Sequence, residues 1–157
     1  MIVKETLTES INDKLNSIGE KFGITRFERV NADDVASYIH GAYLMGVLVG
    51  MNKHIYEAGK DVAMQIAAMN PLAIDETSIA PETIAREREI AIEQIKAEGK
   101  PAEMAEKIAV GKVNKFFKDN TLLAQAFVKD NSKSVADYLK GVNADLKITE
   151  FKRVALG

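Results

Sequence analysis

Apolar residues near the start of the chain recur at intervals of three and four, which is the spacing of one face of a helix. The stripe is formed by Val3, Leu7, Ile11, Leu15 and Ile18. It predicts an amphipathic helix over residues 3–18, with Gly19 at its end. We expect the apolar face of this helix to cover part of a sheet.

Four segments carry the mixture of β-branched, aromatic and charged residues that is typical of strands. They are residues 24–31, 35–40, 46–52 and 146–156. The third segment is almost wholly apolar, so we expect it inside the sheet, whereas the charged first and fourth segments are expected at its edges. Residues 41–45 would join the second and third strands as a hairpin.

The interval between the third and fourth strands is too long for a loop inside a compact domain, so it must have secondary structure of its own. Residues 61–69 predict a short apolar helix that ends before Pro71 and covers the sheet. Residues 134–141 predict a last helix, with Ser134 as its N-cap and Gly141 just past its end.

Two longer helices are predicted between these, over residues 81–98 and 101–117, each with a proline in its first turn. Each has a narrow apolar stripe on a charged surface, so the two stripes should face each other. We therefore predict that residues 81–117 form an inserted coiled-coil helical hairpin that projects from a single domain over residues 1–157. The predicted fold class is α+β, with a small antiparallel sheet of about four strands covered by helices.

Composition narrows the class of protein. The 157 residues are 46% hydrophobic and 28% charged, as in ordinary globular proteins, and no apolar run could cross a membrane. A net charge of −2 offers no electrostatic footprint for nucleic acid. Cysteine is absent, which excludes thiol chemistry and fits the cytoplasm, and we expect no secretory signal at the N-terminus.

The sequence lacks the common catalytic and cofactor motifs. It contains no GxGxxG, no phosphate-binding GxxxxGK[ST] and no HExxH. Its two histidines, His40 and His54, have no neighbours at the spacing of a triad or a metal site. We therefore expect no enzymatic activity, no cofactor and no metal.

His40 is the residue whose position suggests a function. It ends the second predicted strand before Gly41, at a hairpin tip where a side chain can reach a partner. A histidine in a surface turn is the other interpretation. From spacing alone the surface-turn interpretation is favoured, and the contact interpretation stays open.

Several phrases occur in an order and at a spacing that match one known family. They are SYIHGAYLMGVLV at residues 37–49, DVAMQIAAMNPLAID at 61–75, EREIAIE at 87–93, GKP at 99–101, AEKI at 105–108 and TLLAQAFVKD at 121–130. On these phrases, residues 18–154 resemble translation elongation factor Ts, the guanine nucleotide exchange factor for elongation factor Tu.

The chain departs from the family pattern in three places. The hairpin has Ala42-Tyr43-Leu44-Met45 where the family usually has Gly-Gly-Arg-Ile, and two charged residues expected around Gly111 are replaced. The N-terminal helical domain of the family and its Thr-Asp-Phe-Val motif are missing, and no Asp-Phe pair occurs in the sequence. We therefore expect the chain to correspond to the C-terminal portion of the factor, namely the second half of its core with the coiled-coil arm.

The resemblance implies a partner and a set of contact residues. It implies that the chain binds elongation factor Tu and promotes release of GDP without covalent chemistry. The positions that match the family's contact to the third domain of Tu are Ile18, Gly19 and His40. The hairpin corresponds to the family's coiled-coil protrusion, which reaches toward the nucleotide-binding domain of Tu.

Two further expectations and two alternatives complete the sequence-based picture. Because the Asp-Phe pair is missing, we expect this chain to bind Tu but to exchange nucleotide poorly. A missing core half would leave an exposed core edge through which the chain could associate with itself. The main alternative is a non-catalytic interaction or scaffold module that uses the helical hairpin as a protein-binding arm. An enzyme with an unrecognised site is the less favoured alternative.

Overall fold

Residues 6–156 are described by the computed structural model, which contains both helices and short strands. The elements are α1 (Leu7–Ile18), β1 (Asp34–His40), β2 (Met45–Met51), α2 (Tyr56–Met69), α3 (Pro81–Ala97), α4 (Ala102–Asn120), β3 (Ala126–Phe127), β4 (Asp130–Ser134), α5 (Val135–Val142) and β5 (Ile148–Ala155). These elements confirm the α+β class. Within residues 6–156, none of the helices has the length and apolar character of a membrane span.

The main sheet has three antiparallel strands in the order β1-β2-β5. The predicted interior position of the apolar strand is confirmed, because β2 pairs on both sides. Strand β1 runs from Asp34 opposite Met51 to His40 opposite Met45, so the predicted hairpin is also confirmed. Strands β1 and β5 are the two edges.

The prediction of a strand over residues 24–31 is wrong. This segment pairs with no strand and instead crosses the face of the sheet. Its end packs so tightly there that a Cβ atom on Gly50 would lie 2.9 Å from Cβ of Ala32 and 3.1 Å from Val30. A Cβ vector stands out of the plane of a strand, so these contacts put residues 30–32 above the sheet and not at its edge.

Strands β3 and β4 form a second, two-stranded sheet that the sequence did not predict, since this interval was expected to be helical. The ladder is irregular, with Ala126 opposite Ser134 and Phe127 opposite Asp130. A ladder this short has no alternating pattern to recognise, and an isolated hairpin is marginal in water, so contacts with the rest of the chain must hold it.

Helix α2 covers the other face of the main sheet, as predicted, although it begins at Tyr56 and not at residue 61. It ends at Asn70 in a left-handed conformation just before Pro71, as the sequence predicted. The main hydrophobic core is formed chiefly by Val47, Val49 and Met51 of β2 and by Ala58, Val62, Ala63 and Ile66 of α2. Near the start of α2, Gly59 lies directly against Ala36 and Met51.

The expectation that the N-terminal helix covers the sheet is wrong. Helix α1 has no buried residue, and Leu7 and Ile18 are 60% and 58% exposed. Val3 lies outside the described residues. The helix is instead stabilised locally by a capping box, in which Thr6 and Glu9 satisfy each other's backbone amides. Its place on the sheet is partly taken by the segment that contains Val30.

Helices α3 and α4 pack against each other and have a buried cluster of their own, formed by Ala91, Ile95, Ala105 and Ala109. These residues belong to the two predicted stripes, which therefore face each other as expected. Alanine at three of the four positions allows a close approach of the helices. Arg88 of α3 also donates to Glu106 of α4 at 2.6 Å, an exposed ion pair that contributes little. The division into one domain with an inserted coiled-coil arm stays a prediction.

The two segments that flank this hairpin lie side by side and form its neck, residues 72–74 and 120–123. Ala73 and Thr121 form an isolated parallel bridge. Three backbone hydrogen bonds join the two segments. The Leu72 amide donates to the Asn120 carbonyl at 2.8 Å, the Leu122 amide to Ala73 at 2.9 Å and the Leu123 amide to Ile74 at 3.0 Å. The hairpin therefore leaves and rejoins the core at one place.

The last helix confirms one predicted end and corrects the other. Ser134 is the N-cap of α5, and its hydroxyl group and the Asp137 carboxylate form a capping box. This hydroxyl, which donates to the carboxylate, lowers the pKa of Asp137. Gly141, however, lies inside the helix, which continues to Val142 because the Asn143 amide still donates to Leu139.

We predict that Gly59→Ala destabilises the fold. The added methyl group would lie 2.6 Å from Cβ of Ala36 and from Cε of Met51, and Ala36 cannot move without its strand. The expected loss is about 1–3 kcal/mol in the free energy of unfolding. Urea denaturation followed by circular dichroism measures this loss.

The matched control is Gly111→Ala in α4, where no atom lies within 4 Å of the new methyl group. This change should stabilise the helix by about 0.5–1 kcal/mol. Equal effects of the two substitutions would contradict the close contact.

We also predict that the α3–α4 hairpin opens more readily than the main sheet, because two helices with one shared seam bury less than a layered core. Amides of α3 and α4 should exchange with deuterium faster than those of β2. Replacing residues 76–118 with a Gly-Ser linker of about six residues should leave a folded core, since the neck already holds the flanking segments together. Equal protection of the hairpin and β2 would show that this prediction is wrong.

Candidate functional site

His40 is the last residue of β1 and its side chain is exposed. It stands on the same face of the sheet as Tyr38, because alternate residues of a strand point to the same side. The Tyr38 hydroxyl and His40 Nδ1 lie 3.0 Å apart and share a hydrogen bond, and the two ring centroids are 5.9 Å apart. The imidazole is therefore oriented by its own strand.

The turn after His40 has three consecutive residues with positive φ: Gly41 at 63°, Ala42 at 52° and Tyr43 at 71°. An L-residue pays about 1–2 kcal/mol to adopt this left-handed conformation, whereas glycine does not. The turn is closed by the Leu44 amide, which donates to the Gly41 carbonyl at 3.1 Å. Tyr43 is 81% exposed at its tip. The departure from the expected glycines therefore leaves strained backbone and an aromatic ring next to His40.

A cavity of about 300 Å³ opens beside His40. Its walls come from the main sheet, from the second half of α2 and from the turn between β3 and β4. The lining residues are Tyr38, His40, Met45, Met64, Ala67, Ala68 and Val128. Five of these seven are aliphatic or methionine side chains, and the two polar rings are hydrogen-bonded to each other. The surroundings suit an apolar side chain better than a charged group.

The β3–β4 turn, residues 128–129, is attached to α2 by buried polar groups. The carboxylate of Asp61, which is 7% exposed, accepts from the Lys129 ammonium group and, at 2.8 Å, from the Tyr138 hydroxyl. Burial and this carboxylate together raise the pKa of Tyr138, so its hydroxyl stays protonated and donates. The Tyr138 ring also stacks on Phe127 at a centroid distance of 4.1 Å. One wall of the cavity is thus held to the helix that forms another.

The other two predicted contact residues lie at the end of α1. Ile18 is its last residue and Gly19 its C-cap, with φ of 75° and its amide donating to Leu15 at 3.0 Å. Both are exposed. In the part of the chain that the structure describes, no hydrogen bond or ion pair joins either residue to His40. Each of the three predicted residues is thus exposed on its own element, Ile18 and Gly19 at the end of α1 and His40 at the end of β1.

His54, the second histidine, lies away from this cavity. Its Nδ1 atom is 2.8 Å from the Asp34 carboxylate, at the opposite end of β1 from His40. Between residues 6 and 156, no three acidic or histidine side chains converge as a metal ion would require.

Sequence reasoning missed every lining residue of the cavity except His40. Tyr38 could have been predicted from the sequence, because it is two positions before His40 on the same strand and so shares the face of His40. Met64, Ala67 and Ala68 were inside a predicted helix, but nothing in the pattern showed that this part of the helix reaches the hairpin. Val128 had no signal at all, since its position depends on contacts with residues far away in the chain.

Comparisons with known proteins show which family the sequence resembles. The family model described as "Elongation factor TS" matches residues 1–157. A curated protein named Elongation factor Ts from Cytophaga hutchinsonii is 48% identical over 155 residues, which are 96% of this chain and 56% of that protein. The protein of the same name from Christiangramia forsetii is also 48% identical, over 94% of this chain and 57% of its own. That from Clostridium kluyveri is 39% identical, over 98% of this chain and 54% of its own. The chain spans little more than half the length of these relatives.

Proposed function

The chain belongs to the elongation factor Ts family, and from this premise we propose that it binds elongation factor Tu and takes part in the release of GDP from Tu during translation elongation. The observation that carries the proposal is the match of the family model to all 157 residues, together with 48% identity to a curated relative. The proposed role involves no covalent chemistry. It also places the protein in the cytoplasm, where translation takes place.

We propose that Tu is contacted by Ile18, Gly19 and the surface around His40. All three residues are exposed, and they combine an apolar side chain, a glycine that allows close backbone approach and a polar ring. The apolar cavity beside His40 supports this assignment, because anchoring side chains at protein interfaces commonly fill such pockets. The α3–α4 hairpin is proposed to reach toward the nucleotide-binding domain of Tu as an inserted coiled-coil arm.

Exchange demands more than binding. A factor shifts Tu toward its nucleotide-free state only by the difference between its affinities for the two states. The Asp-Phe pair that the family resemblance links with the nucleotide site does not occur in this sequence. We therefore propose that the 157-residue chain binds Tu but accelerates GDP release poorly.

We further propose that the chain associates with itself through its exposed core edge. Strand β1 is an edge strand, and its residues Val35 and Ile39 are 41% and 58% exposed. An edge strand with free amide and carbonyl groups is a template for pairing with another strand. Analytical ultracentrifugation over a range of concentrations tests this point.

Titration calorimetry of the chain with Tu tests binding, and release of a fluorescent GDP analogue from Tu, followed by stopped flow, tests exchange. We expect the chain to bind Tu and to stimulate release far less than a full-length family member does. His40→Ala should weaken binding by about 1–2 kcal/mol, or about 5- to 30-fold in affinity. The matched control is His54→Ala, which removes the other exposed imidazole and should leave the affinity unchanged.

Three results would contradict these proposals. Failure of the chain to bind Tu would contradict the proposed function as a whole. Release as fast as with the full-length factor would show that the missing Asp-Phe pair is not needed. If removing the α3–α4 hairpin abolished binding while His40→Ala had no effect, the scaffold module with a protein-binding arm would become the better interpretation.

A further inference from the structure

Gln65 lies in the middle of α2, next to Met64, and is 0% exposed. Its side-chain amide is directed at the segment before and within the β3–β4 turn. Nε2 donates to the Ala126 carbonyl at 3.0 Å and to Gln125 Oε1 at 3.3 Å, while Oε1 accepts from the Val128 amide at 2.8 Å. One buried side chain thus satisfies two backbone groups of this segment, which is more than sixty positions away in sequence.

These bonds determine where Val128 stands. The β3–β4 ladder is too short to hold its own shape, so the position of its turn depends on what it is attached to. Gln65 holds the backbone at Val128, and one turn earlier in the helix Asp61 holds the next residue, Lys129. Val128 is itself 44% exposed and forms one wall of the cavity beside His40.

We propose that Gln65 is a positioning residue: it holds Val128 as the outer wall of the cavity beside His40, and this cavity receives one apolar side chain of elongation factor Tu. The proposal rests on the proposed function, because Tu is the partner that the family suggests. An apolar occupant is favoured because the walls consist mainly of methionine, alanine and valine side chains. A charged group there would lose its hydration against walls that have no Lys, Arg, Asp or Glu side chain.

Titration calorimetry of the 157-residue chain with Tu tests the proposal. Gln65→Met keeps the length of the side chain and removes all three hydrogen bonds, so Val128 is released. We expect the affinity for Tu to fall by about 5-fold or more, and Val128→Ala to have a similar effect. Because Gln65 acts through Val128, the double variant should be no weaker than the more affected single variant, which is the mark of coupled residues.

Gln65→Glu provides a readout that a general loss of stability would not produce. A protonated carboxyl group can both accept from Val128 and donate to Ala126, whereas an ionised one can only accept. Burial raises the pKa of such a carboxyl group. The affinity of this variant relative to wild type should therefore recover as the pH is lowered from about 8 to about 6, with circular dichroism confirming that both proteins stay folded. The ratio for Gln65→Met should stay constant over the same range.

Asn52→Leu is the matched control for loss of a side-chain amide that bonds a distant backbone segment. Asn52 donates to the Asp145 carbonyl at 2.9 Å and accepts from the Lys147 amide at 2.7 Å, but it does not line the cavity. This substitution should leave the affinity for Tu unchanged. A loss equal to that of Gln65→Met would overturn the positioning role.

Other outcomes separate this proposal from the function on which it rests. If His40→Ala weakens binding while Gln65→Met and Val128→Ala do not, the inference is overturned and the proposed function stands. If the wild-type chain does not bind Tu, both are overturned. Should Gln65→Met fail to fold, Val128→Ala decides, because a half-exposed turn residue can be truncated without loss of the core, and unchanged affinity would overturn the inference.

Discussion

The close contact between helix α2 and the main sheet is the constraint on which the rest of the molecule depends. At Gly59 the helix touches Ala36 and Met51 with no side chain of its own in between. This approach brings the buried residues of α2 onto strand β2, and it directs the second half of the helix toward the end of β1. The second half of the helix contributes Met64, Ala67 and Ala68 to the walls of the cavity beside His40.

The buried polar side chains of α2 contribute to the fold in a different way from its apolar side chains. The apolar groups bury surface and are interchangeable within limits of size, whereas Asp61 and Gln65 accept only partners with the right hydrogen-bonding groups. Each of them is bonded to the segment that includes the β3–β4 turn. Burial of such groups costs free energy when their bonds are not made. A displaced turn would break the Gln65 bonds to residues 126 and 128 and one of the two bonds of Asp61, which would keep only Tyr138. The network therefore favours one position of the turn over its neighbours.

Features that depend on local chemistry were predictable from the sequence. The end of α2 follows from Pro71, the start of α5 from Ser134, and the central position of β2 from its apolar run. The misassigned features depend on distant parts of the chain. Residues 24–31 have the composition of a strand, but composition does not say whether a segment pairs at an edge or crosses a face. In the same way, the stripe on α1 indicates a helix without indicating a surface for it to cover.

The candidate site shows the same division. His40 could be singled out because it ends a strand before a glycine, and the family resemblance gave it a role. The cavity beside it could not be foreseen, because its walls come from a strand, a helix and a turn that are far apart in sequence. Gln65 looked like one more polar residue on an apolar helix, and its partners at residues 125–128 become visible only in the folded chain.

The neck, residues 72–74 and 120–123, has a mechanical consequence for the hairpin. Helices of 17 and 19 residues are about 26–28 Å long, so the hairpin is a lever with its fulcrum at the neck. A rotation of about 5° at the neck would displace the far end by about 2 Å, which is enough to make or break a hydrogen bond. The direction in which the hairpin points is therefore determined by a few backbone hydrogen bonds at its base, far from anything its tip can touch.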